Sequence, residues 1–129
     1  MSPCPFCSSS IEPSRFLVPP NDLAMVLYDS YPVSTGHSLI IPRKHVASLF
    51  DLSAAEQGQL WAVVAVAREI LSEKFHPDGF NIGLNDGGAA GQTVPHAHIH
   101  IIPRYNGDVV DPRGGVRWVI REKAAYWDK

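Results

Sequence analysis

Three histidines alternate with small or aliphatic residues in the segment His96-Ala-His98-Ile-His100. On a β-strand, residues i, i+2 and i+4 face the same side, so this spacing predicts a row of three imidazoles. Each buried imidazole needs a hydrogen-bonding partner, which makes three aligned histidines an unfavourable way to fill a core. The row therefore indicates chemistry: either a metal site built on all three rings, or a site that handles phosphate.

The loop before the histidines favours phosphate. It is rich in glycine, with three glycines between Gly87 and Thr93, and its backbone N–H groups can approach an anion closely. The Thr93 hydroxyl can donate one further hydrogen bond. A glycine-rich loop that runs directly into a histidine row indicates a phosphate-binding site.

The two cysteines of the chain lie together as Cys4-Pro-Phe-Cys7. Their spacing alone leaves open a metal site, a redox pair and a disulfide. A disulfide across so short a loop adds little stability. A thioredoxin-like pair usually follows a strand and opens a helix, whereas this pair stands among prolines and serines. Metal binding is favoured, and two thiolates then require two further ligands.

The composition is that of one folded domain without a strong electrostatic bias. Of the 129 residues, 45% are hydrophobic and 19% are charged, which excludes disorder and predicts a single domain over 1–129. A net charge of −2 gives no indication of a nucleic-acid or membrane partner. The apolar run Trp61–Ala67 is far shorter than the ~20 residues of a membrane helix. The first residues lack the basic and apolar regions of a signal peptide, so we expect a cytoplasmic protein.

Apolar runs along the chain predict an antiparallel α+β domain. Ser53 and Glu56 form a capping box ahead of apolar residues at helical spacing, which predicts one main helix over 54–75. Strands in series with one main helix indicate an antiparallel sheet of about five strands, accompanied by a short second helix. The predicted strands cover 16–20, 24–28, 37–41, 79–85 and 96–103, with a last strand within 111–120 of the tail.

The main helix has no polar face between Trp61 and Ala67. Trp61 and Val66 point away from the stripe that would pack on the sheet, so the helix is expected to be buried on two sides. Either a partner subunit or the C-terminal segment could cover the second side, and a partner subunit is favoured.

The segment Gly91-Gln-Thr-Val-Pro-His-Ala-His-Ile-His-Ile-Ile102 resembles the signature of the histidine-triad (HIT) family of nucleotide hydrolases and transferases. The resemblance extends to 29–37, to Ile41-Pro-Arg-Lys-His45 and to 81–104. It implies a HIT-like fold and a homodimer whose sheets join across the two-fold axis. It also implies attack by the middle histidine, His98, on a nucleotide α-phosphate, giving a nucleotidyl-histidine that water hydrolyses.

The resemblance implies a role for each matching residue. His98 is the nucleophile. A neutral imidazole can attack phosphorus near pH 7 when a hydrogen bond holds its other nitrogen, and we expect a backbone carbonyl to accept that bond. Asp29 matches the family's ribose-binding acid, and the alternative is a residue that only initiates a turn. His37 matches a histidine that braces the triad, and the alternative is an ordinary histidine at the start of a strand. The catalytic set is thus His98, His100 and His37. Besides Asp29 and His98, the nucleotide-binding residues are Asn85, Gly91, Gln92, Thr93 and His100.

The resemblance also supplies the two ligands that the cysteines lack. Family branches with an N-terminal C-x-x-C bind zinc through both cysteines, the histidine after Ile-Pro-x-x and the first triad histidine. This implies about one structural zinc per chain on Cys4, Cys7, His45 and His96, and no organic cofactor. The zinc-binding N-terminus is 1–15, and 105–129 form a C-terminal tail. With His96 as a ligand, the proton donor to the leaving group is unassigned.

Departures from the subfamily patterns leave the substrate open. The galactose-1-phosphate uridylyltransferase branch has glutamine at the third triad position. This chain has His100 there, and this difference favours hydrolysis over transfer. Asn85 matches the phosphoramidase branch, whereas Thr93 and the tail over 111–118 resemble diadenosine polyphosphate hydrolase-like proteins. The predicted activity is hydrolysis of a dinucleoside polyphosphate to a nucleoside monophosphate. The alternatives are an adenosine phosphoramidase, a non-catalytic nucleotide-binding module, and a hydrolase with a catalytic metal on the histidine row.

Overall fold

The structure, a computed structural model, describes residues 4–7 and 11–128. Its elements in chain order are β1 (Phe16–Val18), β2 (Ala24–Tyr28), β3 (Ser38–Pro42), α1 (Ala54–Phe75), β4 (Gly79–Gly83), β5 (Ile99–Arg104) and α2 (Arg121–Ala124). The strands form one antiparallel sheet in the order β1-β2-β3-β5-β4. The predicted α+β fold, with a main helix and a short one, is confirmed.

Helix α1 has the predicted bounds and the predicted capping box. The Ser53 hydroxyl accepts the Glu56 N–H at 3.1 Å, and the Glu56 carboxylate accepts the Ser53 N–H at 3.0 Å. The helix ends where His76 adopts a left-handed conformation with φ 52°. Its buried stripe, Leu60, Val64, Ala67 and Leu71, packs against one face of the sheet. Neither α-helix in the described ranges is long and apolar enough to cross a membrane.

The opposite face of the sheet is covered by two separate pieces of chain. At the β2–β3 side, Phe6 of the N-terminal segment packs on Leu39 and Ile41. At the β4 side lies the tail, where Gly115 approaches Asn81 so closely that an added Cβ would sit 3.2 Å from the amide nitrogen. The histidines of β5 and the segment before it lie between these two covers.

The outer side of α1 is exposed. Trp61 is 46% exposed and Val66 is 52% exposed. The tail packs against the sheet, so the alternative that the C-terminal segment covers this side of the helix is wrong for residues 105–128.

The histidine strand begins at Ile99, three residues later than predicted. The chain bends over 94–96, and the Ala97 N–H donates to the Val46 carbonyl at 2.7 Å, a partner outside the sheet. Three other predicted strands differ at their ends. β1 stops at Val18 before two prolines, β3 is shifted by one residue, and β4 stops at Gly83.

The predicted strand within 111–120 is wrong. Gly114 and Gly115 have φ values of 97° and 49°, which turn the chain out of an extended path. A 3₁₀ turn over Gly115–Val119 follows, and then α2. The Arg117 guanidinium holds this arrangement by donating to the carbonyls of Ala124 at 3.0 Å and Lys123 at 2.7 Å.

Candidate active site and metal cluster

His98 is held in the tautomer that a nucleophile requires. Its Nδ1 lies 2.8 Å from the His96 carbonyl oxygen, which can only accept, so this partner assigns the ring proton to Nδ1. Nε2 then carries the lone pair. The backbone carbonyl expected from the sequence is therefore present, and the ring is prepared to form a bond through Nε2.

His100 is held in the opposite tautomer by a chain of hydrogen bonds. The Val33 N–H donates to His37 Nδ1 at 3.1 Å, which assigns the His37 proton to Nε2. That proton is donated to His100 Nδ1 at 2.9 Å, so His100 carries its own proton on Nε2. The His98 and His100 rings are 5.2 Å apart. The pair thus offers one lone pair and one N–H donor side by side.

Asp29 follows β2 and combines a turn contact with a position beside the histidines. Its Oδ1 accepts the Tyr31 N–H at 2.8 Å, as a turn-initiating aspartate does. Its Oδ2 lies 3.4 Å from His37 Nε2 and 4.0 Å from His100 Nδ1. The turn contact fixes the carboxylate while leaving the second oxygen at the site.

Burial keeps His37 and His100 neutral near pH 7. It lowers the pKa of His37, against the opposing effect of the Asp29 charge. For His100, burial together with repulsion from His98 and His37 lowers the pKa to about 4. The tautomers of His37 and His100 given by their hydrogen bonds are therefore the ones present at neutral pH.

The shifted pKa of His100 predicts a pH-dependent stability. Between its ordinary value of 6.5 and about 4, the unfolded chain binds a proton here that the folded chain does not. This contribution to the free energy of unfolding is complete above pH 6.5 and is lost as the pH falls toward 4. Urea unfolding at pH 7 and pH 5 should show a larger loss for wild type than for His100→Gln. Equal losses in the two proteins would contradict the shift.

All the predicted nucleotide-binding residues line one cavity of about 460 Å³. This volume is within the usual range for small-molecule sites. The predicted lining residues are Asp29, Asn85, Gly91, Gln92, Thr93, His98 and His100. Phe6, Arg15 and Tyr31 also line it, and the sequence did not indicate them. These three side chains reach the cavity because the N-terminal segment and the loop after β2 fold onto the sheet. Such long-range folding leaves no local pattern in the sequence.

Gln92 contributes to this cavity in a way that differs from the expected phosphate contact. Its backbone N–H donates to the Gly87 carbonyl at 3.2 Å, and its Oε1 accepts the Gly87 N–H at 2.9 Å. Its amide nitrogen donates to the carbonyls of Ala47 and Val94 at 2.8 and 3.0 Å. Gln92 therefore braces the glycine-rich loop, which turns through Gly91 at φ 95°. In the glycine-rich loop, the side-chain group left to donate a hydrogen bond into the cavity is therefore the Thr93 hydroxyl.

Cys4, Cys7, His45 and His96 form a cluster with the spacing of a metal site. Their ligand atoms all lie within 4.8 Å of one another. Measured separations are 3.4 Å from Cys4 Sγ to His96 Nδ1, 3.1 Å from Cys7 Sγ to His45 Nδ1, and 3.1 Å between the two Nδ1 atoms. Tetrahedral zinc with ordinary bond lengths would separate its ligands by roughly 3.3–3.8 Å. The donor set therefore fits a tetrahedral thiophilic cation.

Two further observations support this fit. His96 Nε2 donates to the Pro42 carbonyl at 2.8 Å, which directs the Nδ1 lone pair into the cluster. Burial and the neighbouring Cys4 raise the pKa of the Cys7 thiol, a cost that a bound cation reverses.

Asp29, His37 and His100 form a second group with similar spacing. The hydrogen bond between its two rings already accounts for that geometry.

His96 belongs to the metal cluster, whereas the other two triad histidines, His98 and His100, line the cavity. It is fully buried in the cluster, and its ring packs 4.9 Å from that of His45. The predicted alternation is present, because Ala97 and Ile99 belong to the core against α1, while Phe6 on the other side contacts the rings of both His96 and His98. His98 and His100 form the remaining pair.

Comparison with known proteins decides the family. The HIT domain model matches residues 11–107, which is most of the chain. The chain belongs to the HIT family. A HIT family protein of Bacillus subtilis has a similar structure, with a TM-score of 0.75 and 31% identity, covering 83% of this chain and 77% of that one. A zinc-bound HIT protein of Mycobacterium smegmatis gives a TM-score of 0.67 and 35% identity, covering 74% and 70% of the two chains.

Relatives of this HIT chain include proteins with named activities. An asymmetrical bis(5′-nucleosyl)-tetraphosphatase of Schizosaccharomyces pombe is 43% identical over 77 residues, or 60% of this chain and 42% of that protein. An AP-4-A phosphorylase of Mycobacterium tuberculosis is 36% identical over 87 residues, or 67% and 45%. The chain thus spans less than half the length of these two relatives. It spans 74% of a HIT-like protein of Mycoplasma genitalium, at 38% identity.

Proposed function

We propose that this HIT protein hydrolyses a dinucleoside polyphosphate and releases a nucleoside monophosphate. The observation that carries the proposal is the pair of opposite tautomers in one cavity. His98 offers a lone pair on Nε2, and His100 offers an N–H donor beside it. A nucleophile next to a fixed donor suits attack on a phosphate whose oxygens gain negative charge.

The reaction proceeds in two displacements at the α-phosphorus. His98 Nε2 forms a bond to phosphorus while the bond to the bridging oxygen breaks, and the departing phosphate keeps that electron pair. Water then attacks the nucleotidyl-histidine and loses a proton to solvent. The phosphorus–nitrogen bond breaks, and its electrons return to Nε2. The His96 carbonyl stabilises the charge on the ring in the intermediate through the Nδ1–H bond.

The other residues of the cavity bind and orient the nucleotide. His100 Nε2–H, the Thr93 hydroxyl and the Asn85 amide donate to the non-bridging phosphate oxygens. The Asp29 carboxylate accepts from the ribose hydroxyls through the oxygen that the turn leaves available. His37 touches no substrate and acts as a positioning residue that fixes the His100 proton.

The named relatives support the substrate class and raise one alternative. A tetraphosphatase and a phosphorylase of dinucleoside polyphosphates both match this chain. They differ in whether water or inorganic phosphate accepts the nucleotide. In this site, either acceptor would attack the same nucleotidyl-histidine, so the acceptor must be tested.

Product analysis tests the function. Purified protein is incubated with diadenosine tetraphosphate, diadenosine triphosphate or adenosine phosphoramidate, each with and without inorganic phosphate. We expect AMP from a diadenosine polyphosphate without added phosphate. ADP formed only with phosphate would identify phosphorolysis, and turnover of the phosphoramidate alone would identify the phosphoramidase alternative. AMP binding without turnover of any of the three would identify a non-catalytic module.

We further propose that Cys4, Cys7, His45 and His96 hold a structural zinc ion. The spacing of the ligand atoms, the orienting bond from His96 to Pro42 and the zinc-bound Mycobacterium smegmatis relative support it. Bound zinc would supply a mechanical link between the N-terminal turn and the segment that carries His98. Four protein ligands leave no position for substrate.

We also propose a homodimer formed through α1 and the β4 edge. β4 lies at the edge of the sheet, and the outer side of α1 exposes Trp61 and Val66. Because only about half of each side chain is exposed, burying the rest stabilises an assembly by about 1 kcal/mol per side chain. A two-fold interface repeats each contact.

Trp61→Glu should therefore convert dimers into monomers. The substitution places two unpaired charges in the interface, one from each subunit. Light scattering at micromolar concentration should give twice the chain mass for wild type and one chain mass for the variant. Phe50→Glu, at a 65% exposed position outside α1, is the control and should remain dimeric. A monomeric wild type would contradict the dimer, and a dimeric Trp61→Glu would move the interface away from this side of α1.

A further inference from the structure

One four-residue turn contributes to both the metal cluster and the nucleotide cavity. Cys4 and Cys7, at its ends, belong to the metal cluster. Pro5 and Phe6, between them, line the nucleotide cavity. The Cys7 N–H donates to the Cys4 carbonyl at 3.2 Å and closes the turn. A displacement of the cysteines would therefore move the wall of the cavity.

The Phe6 ring contacts one histidine of each site. Its centroid lies 5.8 Å from that of His96, with an interplanar angle of 89°. It lies 5.2 Å from that of His98, with an angle of 63°. Both arrangements are edge-to-face contacts of the kind that favour a defined ring orientation. The ring is buried and packs on Leu39 and Ile41, so its position is set by the turn on one side and the sheet on the other.

We propose that Phe6 is a positioning residue that couples occupancy of the metal cluster to nucleotide affinity. A cation on the four ligands fixes the turn, the turn fixes Phe6, and Phe6 fixes the cavity wall and the adjacent His98 ring. Without the cation, the described part of the turn is held by one backbone hydrogen bond, by apolar packing and by thiol–imidazole contacts to His45 and His96. These contacts are weaker than metal–ligand bonds and allow local opening. This inference rests on the nucleotide site of the proposed function.

Coupling of this kind is reciprocal. If metal increases the affinity for a nucleotide by some factor, the nucleotide increases the affinity for metal by the same factor. We expect a factor of about ten, typical of coupling between neighbouring sites. The effect is an affinity change and is measurable with AMP, without any turnover.

The experiment measures AMP binding by calorimetry to zinc-loaded and chelator-stripped protein, with far-UV circular dichroism to show that the stripped protein is folded. Wild type should bind AMP about tenfold more weakly after stripping. Phe6→Ala should bind more weakly in both states, with less than a twofold difference between them. Phe50→Ala, which removes an exposed phenylalanine outside both sites, should behave as wild type. If the stripped protein unfolds, both forms are compared at a lower temperature at which circular dichroism shows the stripped protein folded, and zinc affinity is measured there by chelator competition with and without AMP. The same tenfold effect is then expected in wild type and not in Phe6→Ala.

The outcomes separate the coupling from the proposed function. Equal AMP affinity, or equal zinc affinity, with and without the other ligand in wild type would overturn the coupling and leave the nucleotide site intact. Full coupling that survives in Phe6→Ala would overturn the assignment to Phe6. Failure of zinc-loaded wild type to bind AMP would overturn the nucleotide site and, with it, the coupling.

Discussion

Replacing His98 with alanine is expected to abolish turnover of a diadenosine polyphosphate while leaving AMP binding largely intact. The substitution removes the atom that forms the covalent bond, so the loss should be at least about a thousandfold. Asp29, Thr93 and His100 still line the cavity and would keep the contacts proposed for them with the nucleotide. The measurement pairs the initial rate of AMP release with AMP affinity by calorimetry.

His76→Asn is the matched control for this variant. His76 belongs neither to the metal cluster nor to the cavity lining, and it stands at the left-handed position that ends α1, where asparagine is well tolerated. It should retain the wild-type rate. A His98→Ala protein within tenfold of wild type would contradict covalent catalysis by this residue.

Replacing Cys7 with serine is expected to remove zinc and lower the stability of the fold. A metal present at a hundred times its Kd stabilises the folded state by about 2.7 kcal/mol. For a domain of this size that corresponds to a change in Tm of about 10 °C. Metal analysis should give about one zinc per chain for wild type and almost none for Cys7→Ser. The Tm of the variant should equal that of wild type treated with chelator.

The same variant separates a structural from a catalytic metal. With the cluster stripped, turnover at saturating substrate should persist, because no step of the proposed reaction uses the metal. Complete loss of turnover on chelation of a still-folded protein would favour the catalytic-metal alternative. Wild type that contains no zinc after growth with zinc available would contradict the zinc proposal itself.

Local signals in the sequence predicted the elements that depend on local contacts. The capping box at Ser53 and Glu56 predicted the bounds of α1, and both of its hydrogen bonds are present. A backbone carbonyl was also expected to hold His98, and the structure identifies it as that of His96, two residues away. The tail strand was not predictable in this way. Its apolar residues resemble a strand, but consecutive positive φ angles at Gly114 and Gly115 redirect the chain.

Features that depend on distant contacts had no local signal. The bend before β5 relies on the hydrogen bond from Ala97 to Val46 and on burial of His96 among the metal ligands. Cys4 and His96 are 92 positions apart, so the ligand set came from the family resemblance and not from spacing. Phe6 and Arg15 reach the cavity only because the N-terminal segment folds onto the sheet.

The stereochemical course at the α-phosphorus tests the covalent mechanism most directly. Each in-line displacement inverts the configuration, so attack by His98 followed by attack by water gives net retention. The measurement uses a dinucleoside polyphosphate with a chiral α-thiophosphate, hydrolysed in isotopically labelled water, and determines the configuration of the nucleoside thiophosphate product. We predict retention. Inversion would mean that water attacks phosphorus in a single step, and it would contradict a nucleotidyl-histidine intermediate on His98.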